Sequence, residues 1–387
     1  MSEYILLFLS ALVSASVNTW GRFRGSPAPE RILVVKLDHL GDVVLATPAV
    51  RALRLARPDV TIDVLAAPDT LAVFEGNPGV RRLLSYDSKR YRRAFDNPAV
   101  PRPFDVMREV ARARYTTIVE LRGDAWTLLL PFLSGSRRRL DRGSVRTRDW
   151  LRRRRPGAPA RPPLHEVDTN LEIVRPLLQG RGAAAQPELE LFPHPASRSS
   201  LHRKLELARV DLGKAIVLIH PAASWGPRAW RPARFAAVAD WIQEHYDAQV
   251  LFLGSAKERE VQAEVQAHAR AKRAFWLAGS LTLWEVAALF PSARLLIDND
   301  TGLAHLAAAS GTPSIVLFGA QVPERFRPWS DRSVILHHRV TCCPCAQVTC
   351  VRPENPCVNE IGVAEVQARI VEILGSARAP NAVRSAS

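Results

Sequence analysis

The sequence predicts an α/β protein built as two doubly wound domains, each around a parallel sheet. Three observations predict it. At 387 residues the chain exceeds the size at which a single core keeps growing. From Arg31 onward, apolar strand-like runs alternate with helix-length amphipathic segments. The same alternation restarts near Ala215, after a connection expected over Gly180 to Pro195. The expected boundaries are an N-terminal apolar segment and linker over 1–30, a first domain over 31–190, a second over 191–375, and a tail over 376–387. With 47% hydrophobic and 24% charged residues the composition is that of a globular chain.

The charge is strongly one-sided. A formal net charge of +15 points to phosphate-bearing, anionic or membrane-surface partners. Ten arginines fall between Arg137 and Arg155 against Asp141 and Asp149 alone, and such a run suits an anionic lipid surface. No zinc-finger, RNA-recognition or helix-turn-helix signature accompanies the charge, so a nucleic-acid partner is not expected. Met1 to Val17 contains YILLFLSALV, preceded by Glu3 and by no basic stretch, which fits a secretory signal poorly. It is also short of the ~20 apolar residues a spanning helix needs. An interfacial anchor or marginal membrane helix is the reading set beside a disordered extension. Trp20, Arg22 and Arg24 then suit a membrane-water boundary.

The elements follow in order. Ile32 to Val35 reads as a strand, followed by a tight loop closing on Gly41-Asp42 and a helix from Val43 to Ala56. Strands are expected at Thr61 to Leu65, Val80 to Tyr86 and Thr116 to Leu121, with a helix at Phe104 to Arg114. Arg152 to Pro163 reads as an irregular segment, and His165 to Leu178 as a helix. In the second half, strands are expected at Ala215 to Ile219, Gln249 to Leu253, Arg294 to Ile297 and Ser314 to Phe318. Helices are expected at Pro232 to Tyr246, Glu258 to Ala271, Leu283 to Phe290 and Leu303 to Ser310. Two such domains would turn their strand ends toward each other across a cleft, where open α/β sheets take ligands.

Three loops at strand ends carry the chemistry. Asp42 sits at the first helix start, where an acid is either a favourable first-turn residue or a base. Asp300, Thr301 and Gly302 precede a helix whose free N–H groups suit a phosphate, with His305 one turn in. His220 to Trp230, HPAASWGPRAW, brings Ser224 and Arg228, and a guanidinium fork suits two phosphate oxygens.

These stretches resemble the ADP-heptose:lipopolysaccharide heptosyltransferases of glycosyltransferase family 9, from Arg31 to about Leu374. The resemblance rests on Lys36, Gly41, Asp42, Val43 and Thr47-Pro48-Ala49, on the HPAAS loop, and on DTGLAHLAAA. It implies a GT-B fold and an inverting transfer of heptose from ADP-heptose to an inner-core saccharide, without a catalytic cofactor. Asp42 would then be the general base, and Arg228, where the family often has lysine, would offset charge on the departing diphosphate. Asp300 would bind the donor sugar, with Gly41, Ser224, Thr301, Gly302 and His305 close to the donor. The acceptor would be an anionic, lipid-linked saccharide met by Lys89, Arg90, Arg92, Arg93 and Arg122. The site of action would be the cytoplasmic face of the inner membrane. A protein O-heptosyltransferase, another sugar-nucleotide transferase and a non-catalytic nucleotide-sugar binder are the alternatives.

All five cysteines lie in CCPCAQVTCVRPENPC, an insert over 342–357. Cys342, Cys345, Cys350 and Cys357 have a spacing that suits a structural zinc or iron, with free thiols as the other reading and Cys343 as a spare.

Overall fold

The structure is a computed structural model. It describes residues 2–22, 30–86, 103–122, 126–153, 163–178, 187–223, 226–270, 274–343, 345, 350–352 and 354–375. It divides into two compact units, Met1–Phe192 and Pro193–Ser387.

The first unit holds strands β1 (Arg31–Lys36), β2 (Thr61–Ala66), β3 (Arg82–Ser85), β4 (Thr117–Glu120) and β5 (Arg138–Asp141). Its helices are α1 (Ser2–Arg22), α2 (Leu40–Val44), α3 (Thr47–Ala56), α4 (Pro103–Ala113), α5 (Leu130–Ser134), α6 (Arg142–Arg153) and α7 (Glu166–Val174). The strands are all parallel in the order β3-β2-β1-β4-β5. The order reverses direction between β1 and β4, so loops leaving those two strands diverge and open a crevice at their carboxyl ends. β1 and β4 are buried along nearly their whole length, which is why Ile32 to Val35 and Ile118-Val119 read as continuous apolar runs.

One expectation is corrected here and two are narrowed. The helix expected over Val43 to Ala56 is two helices, because Pro48 has no N–H to donate and starts α3 instead of continuing α2. The arginine run over 137–155 is not simply a surface patch, since it contains edge strand β5 and helix α6. Arg139 and Arg142 are 0% and 6% exposed within it. The N-terminal segment is neither an extension nor a spanning helix. It is α1, lying along the open edge of β5, and among the described residues no helix is long and apolar enough to cross a membrane.

That packing has a specific cause. An edge strand leaves backbone N–H and C=O groups unpaired. The Asn18 amide satisfies both groups of Arg139, accepting from its N–H at 2.8 Å and donating to its C=O at 2.9 Å. Ser10 and Ser14 donate to the Asp141 carboxylate and accept from the Arg139 guanidinium. At Gly21 any side chain would collide with the Arg137 carbonyl, so glycine lets the helix end settle on the strand.

The second unit holds β6 (Ala215–His220), β7 (Ala248–Phe252), β8 (Phe275–Trp276), β9 (Leu295–Asn299), β10 (Ser314–Phe318) and β11 (Ser333–His337). Its helices are α8 (Pro195–Leu207), α9 (Pro232–His245), α10 (Arg259–His268), α11 (Leu283–Leu289), α12 (Gly302–Ala309), α13 (Pro323–Phe326), α14 (Pro356–Asn359) and α15 (Val363–Leu374). The parallel sheet runs β11-β10-β9-β6-β7-β8, the full six-strand doubly wound order, with its switch point between β6 and β9. Its core places Val217, Ile219, Leu295 and Ile297 of the sheet against Phe235, Val238 and Ile242 of α9.

Candidate active site

In each unit the sequence-derived residues gather at the switch point. In the first unit, β1 ends in Lys36, and the loop Leu37 to His39 leads into α2, whose first turn holds Asp42. Lys36 is fully buried. Its ammonium donates to Glu166 at 3.2 Å and to the Leu121 carbonyl at 3.4 Å, and pairs with Asp38 at 3.3 Å. Arg142 donates to the same Leu121 carbonyl at 2.8 Å and to Glu166. Arg122, at the end of β4, reaches the Leu37 carbonyl and pairs with Asp38 at 3.6 Å.

A charge lattice of three cations and two carboxylates therefore fixes the loop that carries Asp42. Burial pushes the Lys36 pKa down. Burial also opposes ionisation of Asp38, but Lys36 and Arg122 outweigh it and hold that carboxyl below its ordinary value. Asp42 goes the other way. Burial first, and then the negative charge of Asp38, push its pKa up, against the pull of Lys36 and Arg142. A carboxylate of raised pKa is a stronger base than an exposed one.

In the second unit, β6 and β9 are neighbours and pair His220 with Asp298 in register. His220 Nδ1 lies 2.8 Å from Asp298, and Nε2 lies 3.5 Å from Glu258. Burial would neutralise this imidazole, but the two carboxylates outweigh it and push its pKa up to about 10. Thr301 donates to the other Asp298 oxygen at 2.7 Å and accepts from the Leu303 N–H at 3.2 Å. It thus caps α12 and fixes a helix N-terminus whose first residue is Gly302, an arrangement suited to anionic oxygens.

Asn299 holds the facing loop. It donates to the Pro221 and Ala222 carbonyls at 2.9 and 3.0 Å and accepts from the Trp230 N–H at 3.1 Å. Trp230 is fully buried, edge-on to Phe235, with its indole N–H on the Ile361 carbonyl at 2.9 Å. Anchored in this way, the loop presents Arg228 3.5 Å from Asp300.

The structure thus gathers Arg228, Asp300, Thr301, Gly302 and the buried His305 in the second unit, and Gly41, Asp42 and Arg122 in the first. Ser224 and the cluster Lys89, Arg90, Arg92 and Arg93 lie outside the described residues. Lys36 entered the sequence reading only as a motif position. Asp38, Glu166, Arg142, Glu258, Asp298 and Asn299 had no site role in it. The one signal for Glu166 is its spacing of four from Asn170, which puts both on one helical face; Asn170 donates to the Leu45 carbonyl at 3.1 Å.

Among the described residues no three His, Cys, Asp or Glu side chains are grouped to hold a metal, and no disulfide joins any of the five cysteines. Cys342 is exposed while Cys357 is buried, and burial followed by the neighbouring thiols pushes the Cys357 pKa up to about 11. Cys343, the spare, donates to the Gly319 carbonyl at 3.4 Å and sits 3.7 Å from the His337 ring.

Two doubly wound units, one carrying the half-buried Asp42 carboxylate and the other a capped helix terminus beside an arginine, have the architecture of a glycosyltransferase of the GT-B class. Residues 103–355 match the model of glycosyltransferase family 9 (heptosyltransferase), and the chain belongs to that family. It is 29% identical over 297 residues to lipopolysaccharide heptosyltransferase 3 of Escherichia coli, covering 76% of this chain and 85% of that protein. The family 9 glycosyltransferase from Veillonella parvula superposes with a TM-score of 0.66 at 22% identity, covering 81% of this chain and 88% of the other. The Escherichia coli heptosyltransferase WaaC with ADP-2-deoxy-2-fluoro heptose gives 0.60 at 17% identity, covering 88% of this chain and 99% of the other.

Proposed function

We propose that this glycosyltransferase moves a heptose from ADP-heptose to an anionic, lipid-linked saccharide of the lipopolysaccharide inner core, with inversion at the anomeric carbon. The relative with the lipopolysaccharide name and the neighbour holding an ADP-heptose analogue support the choice of acceptor and donor. A nucleotide donor and a lipid-linked acceptor place the reaction at the cytoplasmic face of the inner membrane.

The observation that carries the reading is the environment of Asp42. Its raised pKa suits removal of a proton from the acceptor hydroxyl as that oxygen attacks the anomeric carbon. The bond from the anomeric carbon to the diphosphate oxygen breaks on the opposite face, and ADP leaves carrying the electron pair. Charge then develops on the diphosphate, where Arg228 and the N–H groups at the start of α12 act as preorganised donors. Asp300, beside Arg228, accepts hydrogen bonds from the donor sugar. Arg122 meets acceptor anions. No step calls on a cofactor.

The test is a panel of sugar nucleotides, scored first by protection against thermal unfolding and then by mass analysis of the acceptor. ADP-heptose should protect more than ADP-glucose or UDP-sugars, and the saccharide should gain one heptose. Protection by a UDP-sugar alone would overturn the donor assignment. Heptose appearing on a protein instead of the saccharide would overturn the acceptor.

A further inference from the structure

Helix α1 turns two serines inward beside Val17 and leaves two leucines outward. The side that meets the protein carries Ser10 and Ser14, 1% and 2% exposed, whereas Leu9 and Leu12 on the other side are 46% and 49% exposed. A surface helix ordinarily buries its leucines and turns its serines to water. Here the serines are held by Arg139 and Asp141, so a polar lock fixes the helix with its apolar side outward. Between Leu9 and Gly21 the helix has no charged residue, so no ion has to be stripped of water for it to enter the boundary of an apolar phase.

Helix α6, packed against α1, has the complementary character. It exposes Trp150 and Leu151 at 43% and 55%, flanked by the exposed Arg148 and Arg152. Arg148, itself half-exposed, pairs with the less exposed Glu172 at 3.6 Å, a long, solvent-screened contact that lipid phosphate can replace.

We propose that α1 and α6 together form a docking surface for an anionic phospholipid bilayer. The leucines of α1 enter the boundary between headgroups and acyl chains, and the arginines of α6 meet lipid phosphates. The occupant follows from charge. A second copy of the chain packed symmetrically on this surface would bring the arginine-rich α6 toward its own equivalent, and the net charge of +15 adds to that repulsion. A negatively charged bilayer offers both an apolar layer and phosphate. This surface lies apart from the donor and acceptor assignments and stands without them.

The experiment is sedimentation of the full chain with vesicles of phosphatidylethanolamine and phosphatidylglycerol, 3:1, and with phosphatidylcholine vesicles. The wild type should bind the anionic vesicles, less so as salt rises, and bind phosphatidylcholine weakly. Leu9→Glu with Leu12→Glu should lower the partition coefficient about tenfold or more, equivalent to about 1.4 kcal/mol. Arg148→Glu with Arg152→Glu should lower binding to anionic vesicles alone. Both pairs should keep the wild-type melting temperature, because these side chains are half-exposed or more. Should the leucine variant fail to fold, quenching of wild-type tryptophan fluorescence by brominated lipid, reduced by Trp20→Phe with Trp150→Phe, decides the matter. Equal binding by the leucine variant, or no vesicle binding by the wild type, would overturn the proposal. So would a wild-type dimer that the leucine variant turns into monomers.

Discussion

Replacing His220 with glutamine tests the electrostatic frame of the second unit. The imidazole is 5% exposed and lies between Asp298, 0% exposed, and Glu258. Glutamine keeps a hydrogen-bonding group but removes the cation, leaving the buried Asp298 carboxylate with only neutral donors, the Thr301 hydroxyl and the Ala304 N–H among them. Breaking a buried pair by removing one partner costs about 3 to 5 kcal/mol. For a unit of this size that lowers the melting temperature by roughly 6 to 20 °C. A second change, Asp298→Asn, should return part of the loss, because no unpaired charge then remains inside. The pair also sets a pH dependence. The folded pKa of His220, about 10, lies above its ordinary value of 6.5, so its stabilisation is complete below about 6.5 and fades as pH rises through about 10. Calorimetry of the wild type and the three variants between pH 6 and pH 10 measures all of this. A loss under about 1 kcal/mol for His220→Gln, or additive losses in the double variant, would refute the reasoning.

Two further perturbations follow from the first unit. Glu166→Gln removes the carboxylate shared by Lys36 and Arg142, and should cost about 3 kcal/mol or more of stability, read by denaturant unfolding. Asn18→Leu leaves the edge groups of Arg139 without their partner. It should cost about 2 kcal/mol and speed limited proteolysis near the N-terminus, with little change in the rate of heptose transfer.

How much of this was legible in the sequence depends on whether the cause was local. β1, β6, β9 and β10 are buried on both faces, so each appears as an apolar run bounded by polar loops. The Asp42 and Asp300-Thr301-Gly302 loops sit at strand ends and could be located from those runs. β5 could not. Its residues, Arg-Arg-Leu-Asp, carry no alternating apolar pattern, and Arg139 is buried only because α1 brings serines to it from more than a hundred positions away. The site lattice was hidden for the same reason. Lys36 meets Glu166 across 130 positions, and His220 meets Asp298 across 78, and no periodicity records either pairing. The cysteine insert shows the same limit, because the spacing announces neighbouring thiols, and Cys343 and Cys350 do act on Cys357, but no periodicity records how they are held.

The central claim is that Asp42 removes the acceptor proton. The most direct test is the turnover of Asp42→Asn with ADP-heptose and a lipopolysaccharide acceptor, with donor binding measured separately. Asparagine fills the same space without the basic oxygen, so turnover should fall by about 10² to 10⁴ while donor affinity stays unchanged. In the wild type, turnover should fall at acid pH through a pKa above the usual carboxylate range, since burial and Asp38 raise it. An Asp42→Asn enzyme within tenfold of wild-type turnover, with the same acid limb, would contradict the account.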